Sequence, residues 1–236
     1  MNKVTFFSGN KGGVGKSFLA NTYADILKYS KNKNIVIIEA DTENPDVARM
    51  WANHATVKKV NLFKREGWLD LVDAIDADKG AEFVVSLPAQ IGTALKENLA
   101  AFKEMIKELG VEVELNMFFV MSVVIDSVQL AKRAYHDLAG TLDNFDIVLN
   151  GTYGNHEDFL AWHESNIKTE ILKDGKEVYV EKLITRTTVK IFHTLLAAKT
   201  VEPFTLRITN TELGLTASEK ISIKMYLGAA EKAFFK

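Results

Sequence analysis

"SGNKGGVGKSFLA", Ser8 to Ala20, joins a short apolar run to a segment of helical period. A glycine-rich turn in that position can point its N–H groups inward around phosphate oxygens, and the positive end of the following helix adds to the field. The general spacing of such loops is G-x-x-x-x-G-K-[ST]. Counting back from Gly15-Lys16, the first glycine belongs at position 10, where the chain has Asn10, and Gly9 stands one place early. The rest of the loop is intact. Asn10, Lys11, Gly12, Gly13, Val14, Gly15, Lys16, Ser17 and Phe18 are therefore candidates to hold a nucleoside triphosphate, with Lys16 on the outer phosphates and the Ser17 hydroxyl on Mg²⁺.

Outward from the loop, short apolar runs alternate with longer stretches of helical period, which predicts an α/β fold: a doubly wound, mostly parallel sheet with helices on both faces. Strands are expected at 3–8, 35–40, 82–89, 114–124, 145–151 and 177–183, and helices near 67–77, 92–110, 126–142, 187–199 and 217–235. No seam divides the chain, so residues 1–236 are read as one domain. Composition narrows the function further. Hydrophobic content of 47%, charged content of 25% and a formal charge of -2 give no global attraction to nucleic acid or anionic lipid. With no cysteine, disulfides and thiolate-bound zinc or iron–sulfur clusters are excluded. The N-terminus runs straight into a strand, with no signal peptide or membrane span, so a cytoplasmic protein is expected.

The one-residue failure of the general pattern has a counterpart among known proteins. "NKGGVGKS" resembles the deviant Walker A loop, x-K-G-G-x-G-K-[ST], of the ParA/MinD superfamily of P-loop ATPases. The resemblance implies ATP and Mg²⁺ as ligands, and an ATP-dependent homodimer in which Lys11 crosses to the partner's phosphates. "IVIIEADTENPD" resembles the second strand and switch I, usually D-x-D-P; Asp41 matches the second aspartate, implied to place the attacking water and help hold Mg²⁺, and Glu39 stands where the first usually is. "EFVVSLPAQIG" resembles the Walker B strand and switch II, but the aspartate position holds Ser86, so either hydrolysis is slow or Asp41 and Ser17 hold the metal with water. The run ending in Asp126 competes for the Walker B role; the proline loop after Ser86 and the chain order favour Ser86's strand. "FDIVLNG" resembles the strand whose terminal asparagine, here Asn150, reads the base. "LNGTYGNHEDFLAW" resembles the TraL-like plasmid conjugation branch.

Three other features are weighed. The five histidines are scattered, and the seven-residue separation of His156 and His163 is poor metal spacing. Residues 50–68 mix Trp51 with Lys58, Lys59, Lys64 and Arg65, a pattern that fits nucleic acid or a partner protein but is read first as a solvated loop anchored by its tryptophans. The stretch 218–236 carries Ile223, Leu227, Ala230 and Phe234 on one helical face, and is read as a helix packing on the sheet in preference to a membrane tail. Together these readings describe a dimeric ATPase switch that uses Lys11, Lys16 and Asp41. It would act with a partner protein or on non-specific DNA, ahead of a membrane, in plasmid partition, cargo positioning or conjugative transfer. A P-loop synthetase phosphorylating a small carboxylate and a nucleotide-binding scaffold with little hydrolysis are the rivals.

Overall fold

The computed structural model describes residues 1–9, 11–184, 187 and 201–236. Asn10, His193 and, apart from Thr187, the helix expected at 187–199 lie outside the described residues. A seven-stranded sheet, all of whose pairings are parallel, runs in the order β3-β2-β4-β1-β5-β6-β7. Its strands are β1 (Asn2–Ser8), β2 (Ile35–Glu39), β3 (Thr56–Lys59), β4 (Glu82–Ser86), β5 (Val113–Met121), β6 (Asn144–Asn150) and β7 (Glu177–Val180). The fold is α/β and doubly wound, as the alternating pattern predicted.

The central strands are buried on both faces, which is why they read as continuous apolar runs instead of alternating ones. Val4, Phe6, Ile38, Val85 and Phe119 share a core with α3 (Arg65–Ala77), α4 (Gly92–Glu108) and α5 (Ile125–Leu138). Phe7, Ile37, Val84 and Val120 face the other way, toward α1 (Lys16–Asp25) and α2 (Asp46–Trp51). Short helices α6 (Leu160–His163) and α7 (Asn166–Ile171) precede β7, and α8 (Phe204–Thr209) leads to the last helix, α9 (Ala217–Phe234).

α9 packs on the sheet. It opens on a capping box, Glu219 N–H donating to Thr216 Oγ1 and Thr216 N–H to Glu219 Oε2. Ile223, Tyr226, Ala230 and Phe234 are buried on one face, and the Phe234 ring lies 5.2 Å from Phe118 and 5.3 Å from Tyr23. Burial of a side chain the size of Ile223 or Phe234 contributes roughly 1.5–3 kcal/mol. The far end of α1 is tied to the same layer, because the buried Asp25 carboxylate accepts from the Thr205 N–H and hydroxyl at the start of α8. Among the described residues no helix is long and apolar enough to cross a membrane.

The segment 50–68 departs from the expected loop. Trp51 and Trp68 do anchor it, each fully buried, but α2 precedes it and Thr56–Lys59 pairs with β2 as the edge strand β3. Lys58 and Lys59 are exposed there, the kind of charge that keeps an edge from pairing further.

Candidate nucleotide site at the carboxyl edge of the sheet

Parallel pairing puts the carboxyl ends of β1, β2, β4, β5 and β6 along one edge, where ligands of open α/β sheets bind. The glycine loop leaves β1 there and delivers α1, whose first N–H groups, at Lys16, Ser17 and Phe18, have no partner within the helix. Gly13 (φ 79°) and Gly15 (φ 94°) hold left-handed conformations that other residues resist. A Cβ on Gly15 would also stand 2.2 Å from Asn150 Nδ2. The early glycine, Gly9, has its own reason: a Cβ would fall 2.7 Å from Val14 Cγ2 and 2.9 Å from the Val120 carbonyl. Gly12 has neither constraint: its φ is not left-handed, and a Cβ there would meet no atom of the described residues within 4 Å.

The lysines of the loop divide. Lys16 is buried and its Nζ donates to the Lys11 carbonyl at 3.0 Å, so the loop folds back over its own ammonium. Burial lowers the Lys16 pKa, and the Asp41 carboxylate opposes that shift. The Lys11 side chain instead points outward, about half exposed, with Nζ 3.8 Å from Asp126 Oδ2 in the first turn of α5. An exposed pair at that separation holds Lys11 by about 1 kcal/mol or less.

At the end of β2 the carboxylates also divide. Asp41 is half-buried, and its Oδ1 accepts from the Asn44 N–H at 2.9 Å, which closes the turn after the strand. Glu39 is fully buried. Its Oε2 accepts from the Val47 and Ala48 N–H groups at 3.0 and 3.1 Å and its Oε1 from the Asp41 N–H at 3.2 Å, so a β2 side chain caps the N-terminus of α2. Burial raises the Glu39 pKa to about 7 against the opposing pull of those donors. Ser86 is paired with Glu39 across β4 and β2. Its buried Oγ faces the Glu39 carboxyl closely enough to temper that shift, yet forms no hydrogen bond of good geometry among the described residues.

β6 completes the edge. Asn150 is buried, its Nδ2 donating to the Val14 carbonyl at 2.8 Å and its Oδ1 accepting from the Thr152 N–H at 3.0 Å. The Tyr153 hydroxyl donates to the Gly13 carbonyl. Two residues from one strand end thus hold the loop in place. Phe18 contributes its ring to the other side, 5.4 Å from Phe204 and 5.7 Å from Tyr226.

Comparison with solved structures places this arrangement. MinD, a cell division protein from Aquifex aeolicus, superposes with a TM-score of 0.54 at 16% identity, covering 97% of this chain and 97% of that one. The fold is the α/β fold of MinD. The MinC:MinD complex from the same organism gives 0.52 at 16% identity, over 97% and 96% of the two chains. Chloroplast FtsY from Physcomitrella patens gives 0.54 at 12% identity, over 77% of this chain and 59% of that one, so this chain spans about three fifths of that protein. In sequence, protein MobD of Acidithiobacillus ferrooxidans is 27% identical over 179 residues, 73% of this chain and 74% of that protein. No family model matches.

The MinD-like edge gathers Lys11, Gly12, Gly13, Val14, Gly15, Lys16, Ser17, Asp41 and Asn150. Sequence reading missed one residue that holds the loop and weighed another for a different role. Tyr153 sits 140 residues from the carbonyl it holds, with only its closeness to Asn150 as a signal. Asp126, weighed as a rival to Ser86, follows β5 and stands beside Lys11.

Proposed function

We propose that this chain is a MgATP-binding molecular switch of the ParA/MinD kind, which hydrolyses ATP slowly, dimerises around it and acts in plasmid partition, cargo positioning or conjugative transfer. The observation that carries the reading is the buried Lys16 ammonium under a glycine loop in which a Cβ on Gly12 would touch none of the described residues. The residues fit the ligand. The loop amides and the first N–H groups of α1 bind phosphate oxygens, Lys16 exchanges the Lys11 carbonyl for the outer phosphates, and Ser17 and Asp41 hold the metal. Mg²⁺, when bound, neutralises charge on the outer phosphates. Asp41 orients the attacking water. Lys11, outward-facing and weakly held, reaches the phosphates of a second copy, as an arginine finger does. Asn150 supports the loop through the Val14 carbonyl and is assigned to the base of the nucleotide.

The uncompensated Ser86 hydroxyl favours slow turnover, because a neutral oxygen steadies a metal-bound water less than a carboxylate. The likeness to MinD, solved with MinC, supports a partner protein for the dimer, and the likeness to MobD is compatible with a transfer role. Non-specific DNA is the alternative working surface. Calorimetric titration with MgATP tests the reading. The wild-type chain binds, and Lys16→Ala loses about 100-fold or more in affinity. Equal affinity for the two proteins would overturn the assignment.

A further inference from the structure

Away from the nucleotide edge, the turn after β6, helix α6 and the start of β7 bring together groups that are distant in sequence. His156, His163 and Glu177 offer ligand atoms that all lie within 4.8 Å of one another. His156 Nε2 is 2.6 Å from Glu177 Oε1, and the two imidazole centroids are 4.7 Å apart. The His163 Nε2–H donates to the His156 carbonyl at 2.8 Å, which leaves Nδ1 as the acceptor, and Lys168 Nζ donates to it at 2.9 Å. The same ammonium lies 2.8 Å from Glu177 Oε2. A cation therefore already occupies the point on which the His163 lone pair and the Glu177 carboxylate converge.

We propose that His156, His163 and Glu177 form a site for a divalent transition-metal ion of the zinc class, which the Lys168 ammonium closes when no ion is bound. Zinc bonds of about 2.0–2.1 Å place neighbouring ligand atoms about 3.3 Å apart, so separations of up to 4.8 Å close by at most about 1.5 Å, while the His156–Glu177 pair, at 2.6 Å, opens by about 0.7 Å. His156 is half exposed and free to make that adjustment by rotamer, while Lys168 carries its charge on a flexible stem and can swing its head to water. Glu177 is held more firmly: Trp162 Nε1–H donates to its Oε2 at 2.6 Å. Two imidazoles with one carboxylate suit zinc, copper or nickel and not magnesium, so the site does not compete for the nucleotide's metal. A water completes the shell.

The test is calorimetric titration of the full chain with zinc chloride near neutral pH. One equivalent binds, His163→Ala weakens it at least about tenfold, and the half-exposed His156→Ala, which removes little packing, does the same. Lys168→Met tightens binding several-fold, because the competing cation is gone; weak attachment to scattered surface histidines would not respond in that direction. Absence of binding to both the wild type and Lys168→Met, affinity unchanged by either histidine substitution, or unchanged or weaker binding by Lys168→Met would each overturn the site.

Discussion

The ends of β1 and β4 lie on the same edge of one sheet, with Phe7 and Ser86 paired across them, yet they are built on different terms. At the end of β1 the work is done by backbone: left-handed glycines, helix N–H groups and one buried ammonium. The turn of the loop is made at Gly13 and Gly15. At the end of β4 the expected work rests on one side chain, and the chain places there a serine without a carboxylate's charge. The neighbouring carboxylate, Glu39, caps α2. The two strand ends thus differ in what a substitution removes: a backbone conformation at one, a side chain's charge at the other.

The largest effect expected from perturbing this contrast comes from Gly15→Ala. It forces φ near 94° on a residue with a Cβ and drives that Cβ into Asn150, lowering stability in denaturant melts by about 1–3 kcal/mol and disrupting the loop. Gly12→Ala separates ligand space from protein packing. Its stability stays within about 1 kcal/mol of wild type, while MgATP affinity falls. Equal loss of stability in the two variants would mean that the glycines serve packing alike.

Next is Glu39. Its folded pKa, about 7, lies above the ordinary 4.5, so between those values the folded state keeps a proton that the unfolded chain has released. Stability from this group is present below about pH 4.5 and is lost as pH rises through 7. Glu39→Gln flattens that part of the profile, by on the order of 1–3 kcal/mol across the window. The buried Asp25, raised to about 6, titrates in an overlapping range and stays in both proteins, so the difference between the two melting profiles is the quantity to read. Parallel profiles would contradict a buried, capping Glu39.

The smallest effects are at Ser86. Removing an unpartnered hydroxyl with Ser86→Ala changes stability by less than about 1 kcal/mol. Ser86→Asp sets a second carboxylate against Glu39 and lowers the melting temperature of the nucleotide-free protein, with MgATP restoring part of the loss and turnover rising. Turnover in Ser86→Asp no higher than wild type would show that the missing carboxylate does not limit the rate.

The parts of this molecule that could be read from sequence are those set by local pattern. The loop, the apolar strands and the amphipathic α4 and α9 follow from spacing and burial on two faces. What escaped depends on tertiary partners. β3 is a polar edge strand, TVKK, with no alternation to announce it, and α2 is a short helix whose cap comes from another strand. Strand β4 stops at Ser86, where the stretch 82–89 was expected to run into a proline loop, because Pro88 has no N–H to continue a ladder. Helix α5 ends at Leu138, where the chain turns through Gly140. Seven-residue spacing hid the meeting of His156 and His163, because a short helical turn and α6 fold the segment back toward β7.

The central claim is that the displaced lysine of the loop works on a second copy of the chain. Light scattering of the wild type and Lys11→Ala, each with and without saturating MgATP, tests it directly. The account predicts that MgATP doubles the mass of the wild type and that Lys11→Ala, which loses only a weak surface ion pair in the isolated chain, still binds MgATP but remains a monomer. A wild type that stays monomeric under MgATP, or a Lys11→Ala protein that dimerises as well as the wild type, would contradict it.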